Sequence, residues 1–307
     1  MKLIYMGTPD FAVPALTALH ASRHTVQAVV TSPDKRRGRG QITCDTPVKC
    51  KALELGLPLL QPESLRDAAF LEALKAYDPD ILVVVAFRIL PPEVFSLPRY
   101  GAVNAHASLL PRYRGAAPIN WAIYHGESVT GITIFRIARQ VDTGSMMAQE
   151  TIHIDPDDTA GTLQDKLMHL AAKMLPETLN RLEEGTLEAL PQDDALATPA
   201  PKLKPDTGKL DLHRGGEELC RAVRAFTPCP GAFFRLNDRC IKVSKADWEK
   251  ADDTVPGTIE LLSKKHFAIH CGDGYFLPRE LQSPGRRKMD VSDWMNGNKI
   301  SDDQKVS

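Results

Sequence analysis

Apolar positions in the first half of the chain switch repeatedly between two spacings. Residues 3–6 form a short apolar run that stops at Gly7-Thr8-Pro9-Asp10, after which Phe11, Val13, Leu16 and Leu19 recur at helical intervals. Residues 26–31 are apolar and β-branched, which predicts a strand. Residues 47–56 open on proline and close on glycine, a pattern that predicts a helix. A further helix is predicted over 64–77. Residues 81–86 are almost continuously apolar, as in a strand buried on both faces by covering helices. Strands at 102–105, 132–137 and 147–154 and a long helix over 159–184 complete the pattern. Such alternation predicts an α/β fold built on an open, twisted sheet.

The texture changes at Glu188. From there to Gly208 the chain is proline-dense with little periodicity, which predicts a linker. Beyond it, a helix over 217–226 precedes short strand-like runs at 232–236, 240–243, 258–262, 267–270 and 275–277. Several short strands separated by turns predict a small β-barrel. The expected division is therefore a first domain over 1–187, a linker over 188–208 and a second domain over 209–307.

Composition adds boundaries. The hydrophobic fraction of 43% and charged fraction of 25% are those of a globular protein. A chain of 307 residues can bury about three quarters of its unfolded surface and needs no staples. The six cysteines (Cys44, Cys50, Cys220, Cys229, Cys240 and Cys271) form no C-x-x-C pair, and the nine histidines are scattered. Reduced thiols, no metal and a cytoplasmic location are expected. No apolar stretch has the length of a signal peptide core or a membrane span, and no apolar heptad seam argues against a monomer. Residues 1–200 carry 19 basic and 23 acidic side chains, and residues 201–307 carry 19 and 16, so the net charge shifts from −4 to +3. A sharper feature is Lys35-Arg36-Arg37-Gly38-Arg39-Gly40, read as a basic arm suited to phosphate.

Candidate chemistry concentrates in Asn104-Ala-His106-Ala-Ser-Leu-Leu-Pro111-Arg-Tyr-Arg-Gly-Ala-Ala-Pro118. Asn104 and His106 lie two apart at the end of a predicted strand, so their side chains share a face. In open α/β sheets the carboxyl ends of strands form the ligand crevice. An amide donor beside an imidazole suits an oxyanion forming on a carbonyl. Asp142, in Val141-Asp142-Thr143-Gly144 after another predicted strand, can orient the imidazole and take up charge released by an attacking amine. On the residues alone this is a polar site, with turn-capping roles for Asn104 and Asp142 as the alternative.

Asn104-Ala-His106-Ala-Ser108-Leu109-Leu110-Pro111, Arg114-Gly115-Ala-Ala-Pro118, Gly131-Ile-Thr and Val-Asp142-Thr-Gly144 together resemble the signature of the folate-dependent formyltransferases. Gly7-Thr8-Pro9-Asp10-Phe11, Thr46-Pro47-Val48-Lys49, Lys202-Leu203, Arg224-Ala-Phe226 and Pro256-Gly257-Thr258-Ile259 extend the resemblance over both domains, to about Gly297. It implies a Rossmann-like catalytic domain with a parallel sheet and a C-terminal barrel resembling an OB-fold. It implies 10-formyltetrahydrofolate as donor cosubstrate, no metal, and the amino group of methionine on initiator methionyl-tRNA as acceptor, for translation initiation. Asn104, His106 and Asp142 would be catalytic, and Ser108, Leu109, Leu110 and Pro111 would line the folate site. Lys35, Arg36, Arg37 and Arg39 would bind tRNA, assisted by the second domain. The chain departs from the family pattern at Ala138-Arg139-Gln140-Val141, at Ser145 and at Arg88. Two other readings stay open at this point: a formyltransferase acting on a nucleotide-linked amino sugar, and a non-catalytic RNA-binding protein on the same scaffold.

Overall fold

The computed structural model describes residues 1–37, 42–302 and 304–307, and the side chains at 35–37 and 42–44 are outside the description. The described chain divides into two compact units, each drawn from several segments. The first comprises Met1–Gly115, Val129–His153 and Gln164–Ala200; the second comprises Ala116–Ser128, Ile154–Leu163 and Pro201–Ser307.

The first unit is built from strands β1 (Lys2–Gly7), β2 (Thr25–Val30), β3 (Lys35–Arg37), β4 (Ile42–Cys44), β5 (Leu59–Leu60), β6 (Ile81–Val85), β7 (Ala102–His106), β8 (Arg114–Gly115), β9 (Val129–Arg136) and β10 (Met146–His153). Its helices are α1 (Val13–His20), α2 (Pro47–Glu54), α3 (Ala68–Ala76) and α4 (Pro92–Phe95). Seven strands form one sheet in the order β10-β9-β7-β6-β1-β2-β5. Pairing is parallel from β5 through β7, and β9 and β10 close one edge as an antiparallel pair. The expected parallel sheet is thus present, extended by a hairpin. Covered strands explain the apolar runs: all five residues of β6 are buried. Ile4, Met6, Val30, Leu82 and Val84 pack with Phe70 and Leu74 of α3 in one continuous core.

The segment expected to be a linker is fixed at several points within this unit. Leu190 and Met146 exchange backbone hydrogen bonds of 2.8 and 2.7 Å. Pro199–Ala200 forms β11, which pairs in parallel with β8. Periodicity could not show this, because the anchoring runs through isolated carbonyls and amides.

Helix α5 (Pro118–Tyr124) belongs to the second unit, and α6 (Ala160–Glu183) contributes its first turn there. Then come α7 (Gly216–Phe226), the strands β12 (Ala232–Leu236), β13 (Arg239–Lys250), β14 (Ile259–Leu261), β15 (Phe267–Cys271), β16 (Gly274–Gln282) and β17 (Met289–Asp290), and α8 (Val291–Asn296). The sheet runs β12-β13-β16-β15-β14, with β17 on β16, and all pairs are antiparallel. Its two outer strands are joined by the chain's last residues. Val306 bridges Leu236 of β12, Lys305 bridges Thr258 beside β14, and Ser307 exchanges backbone bonds with Arg235. The curled sheet is thereby closed.

One glycine lets two strands approach too closely for any side chain. At Gly131 in β9, a Cβ would lie 2.1 Å from the Glu150 carbonyl oxygen and 2.6 Å from Leu109. Gly131→Ala must push β10 or the Leu109 loop outward. Its expected cost is about 1–3 kcal/mol, measurable as a lower urea midpoint; an unchanged midpoint would show that the strands yield freely.

Candidate active site

The parallel strand β7 delivers Asn104 and His106 to its carboxyl end, on one face, as the two-residue period requires. In the register, Asn104 sits between Val84 and Phe135, and His106 opposite Thr133. His106 is 6% exposed and Asn104 is half-buried. The His106 ring stands edge-on to Phe135, with centroids 6.4 Å apart. Its Nε2 lies 2.8 Å from the Tyr113 carbonyl oxygen, which can only accept, so this nitrogen donates. Nδ1 then faces Asp142, with the carboxylate oxygen Oδ2 at 3.7 Å. Among the described residues, none takes the Asn104 carboxamide as a hydrogen-bond partner, so it stands available beside this pair.

Asp142 comes from the connection between β9 and β10, more than thirty positions away in sequence. The same Oδ2 accepts from the Gly115 backbone N–H at 2.9 Å. Its φ of 56° places it in the left-handed region, sparsely used by residues other than glycine. Ala86 after β6 (47°) and Tyr113 (61°) share that conformation. Strained backbone therefore collects on the loops around the carboxyl ends of β6 and β7. At Gly144 a Cβ would fall 1.6 Å from the Arg136 carbonyl oxygen, so only glycine permits the Asp142 turn to fold back on β9.

One side chain that sequence reasoning missed ties these loops together. Gln192 Nε2 donates to the Asp142 and Gly144 carbonyls, both at 2.9 Å. Gln192 Oε1 accepts from Arg114 Nε at 3.0 Å and Nη2 at 2.7 Å. Arg114 also pairs with Asp194 at 2.6 Å. No spacing signal marks a glutamine in an aperiodic, proline-flanked stretch.

Of the four residues expected to line a folate site, Ser108 and Leu110 are buried, while Leu109 and Pro111 are half-buried. The Ser108 hydroxyl donates to the Arg112 carbonyl at 2.7 Å, inside its own loop. Thr133 Oγ1 donates to the Ser108 carbonyl at 2.7 Å and accepts from the Leu110 N–H at 3.0 Å. Gln149 of β10 donates to Leu110 O and to Thr133 Oγ1. The loop after His106 is thus pinned to the β9–β10 hairpin. Nearby, Arg88 donates to the Pro62 and Glu63 carbonyls at 2.8 and 2.9 Å, and its guanidinium stands 5.2 Å from the Phe87 ring centroid. Burial lowers its pKa. Val141 and Ile89 present apolar side chains to solvent on these loops.

Lys35, Arg36 and Arg37 lie on β3, which pairs with β4 as a two-stranded ribbon where the sequence suggested a loop; Arg39 lies outside the described residues. Both legs of the ribbon are held at their base by α2. Lys49 Nζ bonds Asp34, just before β3, at 2.5 Å and Asp45, just after β4, at 2.8 Å. Gln61 adds a 3.0 Å bond to Asp34. Thr46 caps α2 by accepting from the Lys49 N–H, and its hydroxyl meets that of Thr31 at 2.8 Å. The Asp45–Lys49 spacing of four was a readable signal for part of this clamp. The Lys49 hydrogen bond, then that of Gln61, holds the Asp34 carboxyl below its usual range, and the Asp34 and Asp45 bonds raise Lys49.

Among the described residues, no group of three or more His, Cys, Asp or Glu side chains is placed to hold a metal ion. Nor is any helix of the described residues long and apolar enough to cross a membrane.

The sequence that builds this sheet and polar cluster matches a known family. Residues 1–179 match the formyl transferase family and residues 202–299 its C-terminal domain, and the chain belongs to this family. Relatives named methionyl-tRNA formyltransferase align over nearly the whole chain. The one from Geobacter metallireducens is 43% identical over 97% of this chain and 96% of its own. The one from Lachnospira eligens is 40% identical, covering 98% of each. Among solved structures, an N-formyltransferase from Helicobacter canadensis, in complex with folinic acid and dTDP-3-aminofucose, shares the fold with a TM-score of 0.66 at 18% identity, covering 92% of this chain and 99% of that one.

The Lys49 clamp has a defined pH window. Asp34 is depressed, so its share is present above the ordinary 3.8 and is lost as pH falls through the lowered value. Lys49 is raised, so its share is present below 10.5 and is lost as pH rises through the raised value. At neutral pH, Lys49→Met should therefore speed tryptic cleavage within residues 35–39 several-fold without unfolding the chain. Equal cleavage rates would mean that the clamp does not hold the ribbon.

Proposed function

We propose that this chain transfers the formyl group of 10-formyltetrahydrofolate to the amino group of methionine on initiator methionyl-tRNA, in the cytoplasm and as a monomer. The observation that carries the reading is the placement of an uncommitted carboxamide, Asn104, beside a His106–Asp142 pair at the carboxyl end of a central strand. Near 40% identity with methionyl-tRNA formyltransferases over the full chain supports the acceptor.

The folate cosubstrate supplies the formyl carbon. When the amine nitrogen bonds to that carbon, negative charge develops on the formyl oxygen, and the Asn104 N–H groups are free to donate to it. With Nε2 committed to Tyr113, Nδ1 of His106 is the ring nitrogen left to serve the reacting groups. His106 Nδ1 takes up the proton released by the amine, against the Asp142 carboxylate, and returns it to the folate nitrogen as the bond from the formyl carbon to that nitrogen breaks and tetrahydrofolate leaves. Leu109, Pro111 and the backbone of the loop after His106 would meet the folate, with buried Ser108 and Leu110 shaping that loop from within. Holding both substrates in line contributes up to about 7–11 kcal/mol through lost freedom paid on binding. Lys35, Arg36 and Arg37 would grip the acceptor-end phosphates from a ribbon that Lys49 braces, Arg39 would add its charge to theirs, and the barrel of the second unit adds cationic surface.

The test is formyl transfer from labelled 10-formyltetrahydrofolate to charged initiator tRNA, with a nucleotide-linked amino sugar as the competing acceptor. Transfer to the tRNA alone is expected, and transfer to the sugar alone overturns the assignment. Asn104→Ala should lower kcat by about 10²–10³-fold. Arg36→Ala or Arg37→Ala should instead raise KM for tRNA and reduce the salt slope of binding by about one. A variant chain that binds tRNA with the same slope would remove these residues from the phosphate contacts.

A further inference from the structure

We infer that Gln192 is the positioning residue that sets Asp142 against His106, which places the proline-dense segment after α6, within the first unit, in control of the catalytic geometry. The inference rests on the formyl-transfer reading above. Asp142 needs such support because its backbone is held in the left-handed region, a conformation that persists only where the surroundings over-determine it. Gly144 lets the turn approach β9 and the Gly115 N–H takes the carboxylate. Neither fixes the peptide planes on either side of the Asp142–Gly144 turn. Gln192 does, by donating to the carbonyls of both residues.

The chemistry at this point selects a primary amide. Two carbonyls demand two donors, and an arginine demands an acceptor, so the orientation of the Gln192 amide is unambiguous. Glutamate cannot donate to the carbonyls, lysine cannot accept from Arg114, and asparagine is one methylene shorter. Through Arg114 the same amide also reaches the strand whose next residue, Gly115, donates to the Asp142 carboxylate. Gln192 therefore joins both sides of the Asp142 side chain without touching the reacting atoms. It is carried to this place by the Leu190–Met146 bridge on one side and the β8–β11 pair on the other.

Steady-state formyl transfer to charged initiator tRNA decides the matter, with wild type, Gln192→Leu, Gln192→Glu, Asp142→Asn and the Gln192→Leu/Asp142→Asn double variant. Gln192→Leu should lower kcat by up to about 100-fold, the loss expected for displacement of a catalytic group by an ångström, with KM for both substrates nearly unchanged. In the Asp142→Asn background the same substitution should change kcat by less than about three-fold, because its effect passes through Asp142. If Gln192→Leu fails to fold, Gln192→Glu keeps the size and the bond to Arg114, loses the two donors, and should show the same kcat loss. An active wild type with unaltered kcat in these variants overturns the inference, as do losses that multiply in the double variant. A wild type that formylates no methionyl-tRNA overturns the underlying reading instead.

Discussion

The His106 imidazole has one nitrogen bound to a backbone carbonyl and the other turned toward a carboxylate, and the surrounding architecture follows from keeping it so. The ring is buried against Phe135, so it cannot rotate to find water as a substitute. Its carbonyl partner, Tyr113, belongs to a loop that is itself pinned: Thr198 accepts the Tyr113 N–H, and Thr133 and Gln149 hold the stretch from Ser108 to Leu110. The carboxylate partner arrives from a different connection and is held by a glycine amide. Displacing either loop alone would unbalance the ring. The tight β9–β10 pair at Gly131 and the fold-back at Gly144 are thus requirements of the site as much as of the sheet.

A division of labour runs through these residues. The Asn104 carboxamide has no hydrogen-bond partner among the described residues. Groups that shape the crevice, such as Ser108, Thr133 and Gln149, have their polar atoms engaged. A hydroxyl in full internal use cannot also recognise a ligand without losing a bond of about 1 kcal/mol. Arg88 turns its two terminal nitrogens to the Pro62 and Glu63 carbonyls.

Much of this was legible in the sequence. The strand at residues 81–86 falls on β6 because burial on both faces leaves an unbroken apolar run, and the one at 102–105 falls on β7. The helices over 47–56 and 217–226 were marked by proline, glycine and periodicity, and they correspond to α2 and α7. Asn104 and His106 could be placed on one face from spacing alone. What escaped notice depends on pairings distant in sequence. The β3–β4 ribbon shows no alternation, because β3 is Lys-Arg-Arg and both strands are only three residues long. Gln192 works through a side-chain amide and three backbone or guanidinium partners up to 78 positions away, a relation with no periodic trace. The anchoring of residues 190–200 hides behind prolines that read as linker for the same reason.

The closure of the second unit's barrel by Lys305, Val306 and Ser307 bears on how the chain is made. Synthesis runs from the N-terminus, so β12 and β14 exist well before the residues that join them. Until those residues emerge, backbone groups at Arg235, Leu236 and Thr258 lack these partners, and open strand edges are the surfaces through which nascent sheets associate wrongly. The first unit has no such dependence on residues beyond Ala200 for its sheet. The order of biogenesis is therefore written into the topology: the sheet of the first unit can be complete well before residues 305–307 close the barrel.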